Sequence, residues 1–127
     1  MSRYLSPEWL AEATAAVADA PGAGALRVEV TVAGAPAGKL TYHLLAEPGG
    51  PLELAPGPDA GAPAHLDLTW ADAVAEARGE LDPAVAYMQG RTKTKGATAP
   101  VVELLRRLAD PAVAARLRAA AADAELE

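Results

Sequence analysis

Between Leu26 and Val32 apolar residues fall on every second position. Leu26, Val28, Val30 and Val32 alternate with Arg27, Glu29 and Thr31, the period of a strand with one buried face. Leu40, Tyr42 and Leu44 repeat the pattern against Thr41 and His43, after a turn from Gly34 to Gly38. Pro48-Gly49-Gly50-Pro51 turns the chain again, and Leu52 and Leu54 flank Glu53 in a short third strand. A loop rich in Pro, Gly and Ala runs from Pro56 to Pro63. Beyond it, Leu66 and Leu68 alternate with His65, Asp67 and Thr69 in a fourth strand. Short connections between successive strands predict an antiparallel meander.

Helical spacing brackets this block. Ser6-Pro7-Glu8 supplies a cap, a proline at the first helical position and an acid at the positive helix end. Trp9, Leu10, Ala13, Ala16, Val17 and Ala20 follow at helical intervals, and Pro21-Gly22 ends the run. After Thr69, a capping residue type, Trp70, Ala73, Val74 and Ala77 make the apolar face of a helix that stops at Gly79. Asp82-Pro83 starts a shorter one carrying Val85, Ala86 and Met88 and ending near Gly90. Arg91-Thr92-Lys93-Thr94-Lys95 alternates again and reads as an edge strand. Pro100 to Ala109 is the most apolar helix, with Val101, Val102, Leu104, Leu105 and Leu108. The last helix, about 111–122, is Ala-rich, and its only larger apolar residues are Val113 and Leu117, so it reads as peripheral.

This order predicts an α+β fold, a mainly antiparallel five-stranded sheet packed on one face by helices. The chain reads as a single domain over 1–127, with a core about 26–108. A chain of 127 residues buries about two thirds of its unfolded surface, so it needs neither disulfides nor metal to hold a core. It has no cysteine, which rules out a thiol nucleophile. Net charge is −6, and its basic clusters are confined to Arg91-Lys93-Lys95 and Arg106-Arg107, so no nucleic-acid partner is expected. No apolar run has the length of a transmembrane segment, and Met1 to Leu10 lacks the apolar stretch of a signal peptide. The expected location is the cytoplasm.

The stretch from Ala77 to Gly96 carries a more specific pattern. After Gly79 and the Asp82-Pro83 helix come Tyr87-Met88-Gln89-Gly90 and then Arg91-Thr92-Lys93-Thr94-Lys95-Gly96. An aromatic-Met-x-Gly followed by a basic alternating strand that ends in Gly resembles the signature of the sterol-carrier-protein-2 family. Leu66-Asp67-Leu68-Thr69-Trp70 ahead of a helix is similar to that family as well, and so is the Thr41-Tyr42-His43 strand. The resemblance runs from about Leu26 to Leu108. It implies a five-stranded sheet packed on helices, with a long apolar molecule such as a sterol, fatty acid or acyl-CoA held between the layers.

Together with the apolar density of the 100–109 helix, the resemblance points to a ligand-binding set of Trp70, Val74, Tyr87, Met88, Thr92, Thr94, Val101, Leu104, Leu105 and Leu108. Met88 would adapt to irregular apolar shapes, and Tyr87 would add a ring with a polar tip. Both also suit plain core packing. Relatives usually have branched apolar residues where Thr92 and Thr94 stand. In period two these threonines share one face of their strand and the basic residues the other, so the threonines are expected to point inward. That predicts a partly polar wall and an amphipathic ligand. A second departure is Ala97-Thr98-Ala99-Pro100, where relatives carry an acid and Gly or Met.

Candidate chemistry elsewhere is sparse. His43 and His65 lie on the polar phase of their strands and would approach one another across the sheet, near Asp67. Three or four converging ligands are wanted for a metal, so a solvated face is the expected reading and no metal or cofactor is predicted. Glu29, Glu53 and Asp67 read the same way. No nucleophile triad, phosphate loop or dinucleotide fingerprint is present. Arg106 and Arg107 suit a helix C-terminus, with an anionic head group as the sharper alternative. The expected function is a non-catalytic lipid carrier. The alternative is an accessory module whose apolar groove seats a partner protein or a second copy in a homodimer.

Overall fold

The computed structural model describes residues 2–126. In chain order the elements are α1 (Pro7–Ala16), β1 (Leu26–Ala35), β2 (Gly38–Ala46), β3 (Glu53–Pro56), β4 (Ala64–Thr69), α2 (Trp70–Ala77), α3 (Pro83–Met88), β5 (Lys93–Gly96), α4 (Thr98–Ala109) and α5 (Pro111–Ala122). Four of the five helices start on a side-chain cap. Ser6, Thr69, Asp82 and Asp110 each accept a bond from a backbone N–H of the first turn, which satisfies a donor the helix itself cannot use. α1 ends at Ala16, short of the expected Ala20, and α4 begins at Thr98, ahead of the expected Pro100. Proline suits the first turn of α4, where its missing N–H costs nothing.

The sheet order is β3-β2-β1-β4-β5. The expected meander holds for β1, β2 and β3, which pair antiparallel. It fails at β4, which pairs with β1 in parallel, His65 standing beside Glu29. The sheet is therefore mixed. The cause is the loop after Pro56. It does not turn β4 back onto β3 but crosses the outer face of β2 and β1. Gly57 N–H donates to the Thr41 carbonyl at 3.1 Å, and His43 Nδ1 lies 2.9 Å from the Gly57 carbonyl. Asp59 N–H donates to Glu29 at 2.9 Å, and the Asp59 carboxylate takes both Nε and Nη2 of Arg27, at 3.0 and 2.6 Å. Residues that alternate outward as a polar phase thus hold a crossover in place.

The inward phase makes the core. Leu10, Val17, Val28, Val32, Leu52, Val101 and Leu104 are almost wholly buried, each contributing about 1.5–3 kcal/mol of apolar burial. Thr14 fastens α1 to the sheet edge, its hydroxyl accepting the Leu54 N–H at 2.9 Å.

Arg107 lies inside the protein, not at a solvated helix end. Its guanidinium donates to Glu103 at 3.2 Å, to the Gly50 carbonyl at 2.8 Å and to the Gly24 carbonyl at 2.5 Å. Glu103 in turn accepts the Gly24 N–H at 3.1 Å. This buried pair pegs α4 to two loops and commits the Arg107 guanidinium, whereas Arg106 is exposed and meets Glu103 at 3.4 Å. α5 is likewise better seated than its thin apolar face implies. Val113 and Ala121 are buried, and the indole Nε1 of Trp9 donates to the Ala120 carbonyl at 3.1 Å.

Candidate ligand-binding cavity

A cavity of about 320 Å³ lies between the inner face of the sheet and the helices. Val30, Tyr42, Leu44, Leu54, Leu66 and Leu68 form its floor. They come from the inward phase of β1, β2, β3 and β4, so the period-two pattern that builds the core also builds this wall. Leu104, Leu105 and Leu108 of α4 form the roof, with Ala114, Leu117 and Ala121 of α5 beside them. Tyr4, Leu5 and Trp9 close one side. Leu5 has a left-handed backbone, φ 63°, a conformation that costs a side-chain-bearing residue roughly 1–2 kcal/mol. In return its side chain is fully buried against the core.

Polar groups collect at one end. Glu76 of α2, Asp82 at the cap of α3, Thr92 and Arg118 all line the cavity. Burial, and after it the nearby Asp72 and Asp82, push the Glu76 carboxyl up to about 7 against the opposing Arg91. Burial also raises the hydroxyls of Tyr4 and Tyr42, and the Glu76 charge adds to both shifts. Three polar groups from three segments thus share one low-dielectric space.

The structure superposes on a conserved hypothetical protein, possibly a sterol carrier protein, from Thermus thermophilus. The TM-score is 0.69 at 14% identity, over 98% of this chain and 92% of that one. The structure also superposes on sterol carrier protein 2, with TM-score 0.64 and 17% identity over 96% and 99% of the two chains. The chain has the sterol-carrier-protein-2 fold. A palmitated sterol carrier protein 2-like protein from Aedes aegypti aligns with it as well, with TM-score 0.62 and 14% identity over 83% and 96%. At these identities the likeness is one of fold. No family model matches the sequence, and no curated protein matches it.

Within this sterol-carrier fold the residues singled out by sequence part company. Thr92, Leu104, Leu105 and Leu108 line the cavity. Val101 lies on the same helix but is buried in the core at 2% exposure. Trp70 packs half-buried against Tyr4, ring centroids 5.7 Å apart. Tyr87 also packs against the core, and Val74 is half-buried; neither borders the cavity. Met88 points to solvent at 74% exposure. Its helix is only six residues long, and the buried face of that helix is taken by Ala86, which turns Met88 outward.

The two threonines do not act together. Thr92 is buried, but it precedes β5. Thr94 stands opposite Leu66 on the helix side of the sheet, yet it is exposed because β5 is an uncovered edge. The glycines of the motif have plain backbone reasons. Gly90 turns the chain at φ 75°, a region open to glycine. At Gly96 a Cβ would clash with the Pro63 carbonyl.

His43 and His65 flank Glu29 on the outer face. His43 bonds the crossover at Gly57, and His65 Nδ1 lies 3.1 Å from Glu29. Among the described residues no three His, Asp or Glu gather to hold a metal ion, and no helix is long and apolar enough to cross a membrane.

Tyr4 and Glu76 have no counterpart in the sequence reading. Glu76 did leave a signal. It follows Ala73 by three positions and precedes Ala77, so on a helix it borders the apolar stripe. Tyr4 precedes the first periodic residue, where the pattern carries no information.

Proposed function

We propose that the chain is a non-catalytic carrier that holds a long apolar or amphipathic molecule between its sheet and its helices. The observation that supports this is the 320 Å³ cavity with an apolar floor and roof and polar groups at one end. Ligand sites are typically concave and mostly apolar, with a few polar groups that set orientation, and occupy roughly 300–1,000 Å³. The sterol-carrier fold and the palmitated relative support the same reading. Of the residues expected from sequence, Thr92, Leu104, Leu105 and Leu108 are the ligand-contacting ones in this proposal. The protein is proposed to act in the cytoplasm.

The test is titration with a fluorescent long-chain probe and its displacement by unlabelled chains. Saturable one-to-one binding is expected. Leu108→Trp, which fills the half-buried edge of the cavity, should abolish binding while leaving the circular dichroism spectrum unchanged. Absence of saturable binding by the native chain would sink the reading.

A second reading, an accessory module for a partner protein or a homodimer, is favoured by one feature. Val85, Met88 and Val102 are large apolar residues left exposed on α3 and α4. A ligand-free dimer in native mass spectrometry would support it.

A further inference from the structure

The geometry points to Glu76, Tyr42 and Tyr4 as a polar anchor that selects ligands with a hydroxyl head over ligands with a carboxylate head. This rests on the carrier reading and names the class of molecule carried.

The three residues reach the cavity from different elements. Tyr42 stands in the middle of β2, Glu76 in the last turn of α2, and Tyr4 in the segment before α1. Among the described residues, Glu76 and Tyr42 have no side-chain hydrogen bond to protein, and Tyr4 reaches only the Ala73 carbonyl at 3.4 Å. No side-chain polar atom among the described residues is sealed off without a partner, so these groups open onto the cavity space. Polar groups in apolar surroundings are costly unless they are paired. Open to the cavity, they are free to take a bound head group as partner.

The charges around Glu76 decide which head fits. Asp72 faces it from its own helix and Asp82 from the start of α3. Arg91 faces it from the segment before β5 but is already tied to Asp72 at 2.7 Å. Tyr42 and Tyr4 face it from the sheet and the N-terminal segment. Arg118 of α5 lines the same cavity with its guanidinium over Gly79, so Asp72, Glu76 and Asp82 stand against Arg91 and Arg118. The anchor is therefore acidic on balance. A hydroxyl both donates and accepts, so it can give its proton to the Glu76 carboxylate and accept from a tyrosine O–H. A carboxylate could use the tyrosines or Arg118, but beside Glu76 it would set a second negative charge in a low-dielectric space.

The experiment compares dodecan-1-ol with dodecanoate, equal in chain length, by displacement of the fluorescent probe. At pH 8 Glu76 is mostly ionised, and the alcohol is expected to bind about tenfold or more tightly than the carboxylate. At pH 6 Glu76 is mostly protonated, and the gap should narrow. Glu76→Gln should narrow it at pH 8 and remove most of its pH dependence. Tyr42→Phe, which deletes one hydroxyl and keeps the ring, should weaken the alcohol severalfold. Equal binding of the two chains at pH 8, or a carboxylate preference that Glu76→Gln leaves unchanged, overturns the anchor while the carrier reading stands. Binding of neither chain overturns both.

Discussion

Trp9 in α1 and Ala120 in α5 are 111 positions apart in sequence, yet the indole Nε1 of one donates to the carbonyl of the other at 3.1 Å. The contact ties the first helix to the last across the end of the cavity. Tyr4 N–H reinforces it by donating to the Glu125 carbonyl at 2.8 Å. Deleting the chain from Pro111 onward removes Val113, Leu117 and Ala121 from the core and opens one wall of the cavity. A loss of about 3 kcal/mol or more in urea unfolding is expected, with probe binding abolished. Trp9→Phe, which loses only the hydrogen bond and part of the ring, should cost about 1 kcal/mol.

Arg107 and Glu103 give a sharper test of packing. Both are buried, at 5% and 9% exposure. Arg107→Met strands the Glu103 carboxylate and frees the Gly24 and Gly50 carbonyls, so a loss of roughly 3–5 kcal/mol is expected. Gly22→Ala should be damaging for a related reason, because its Cβ would meet the Arg107 guanidinium. Chemical denaturation of the two variants checks this, and a loss below about 1 kcal/mol for Arg107→Met would contradict the buried peg.

Glu76 makes stability depend on pH with a definite sign. Its carboxyl is raised from 4.5 to about 7 in the folded protein, so the folded state holds this proton more tightly than the unfolded chain does. The benefit is full below about pH 4.5. It is lost as pH rises to about 7 and stays lost above that. The decline amounts to roughly 3 kcal/mol. Glu76→Gln should flatten it, and at pH 8 this variant should melt a few degrees above the native chain. Thermal melts at pH 5 and pH 8 measure the difference.

Met88 belongs to the motif that makes the sequence recognisable, but its side chain is in solvent. Met88→Ser should therefore change stability by no more than about 0.5 kcal/mol. It should leave the affinity for the fluorescent chain unchanged, as isothermal titration would show. A clear loss of binding would mean that α3 moves onto the ligand.

Much of the fold was legible because burial follows a simple period. Leu26, Val28, Val30 and Val32 announced a central strand, and the caps Ser6, Thr69 and Asp82 sit where the helices start. The parallel β1–β4 pair was not legible. A loop of Pro, Gly and Ala between Pro56 and Pro63 has the same composition whether it turns back or crosses over. What decides is its fit to Arg27, Glu29 and His43, residues far away in sequence. The cavity wall was legible where it shares the core period, at Leu104, Leu105 and Leu108. It was not legible at Glu76, because periodicity sorts residues into inside and outside and a carboxyl facing an internal space is neither. Thr94 shows the converse error, since its phase is right but nothing covers the edge.

The crossover also bears on how the chain reaches its native state. β1 and β2 meet through a tight turn at Ala35 and Gly38, a local closure that is fast. The other side of β1 waits for β4, and the Glu29–His65 contact there spans 36 positions. Until that distant strand arrives, the central strand is an open edge whose inward side chains are Leu26 and three valines, a template on which another chain can pair. The loop that crosses the outer face therefore sets how long each new molecule is exposed to association with its neighbours, and weakening the Arg27–Asp59 clasp should show first as aggregation during refolding.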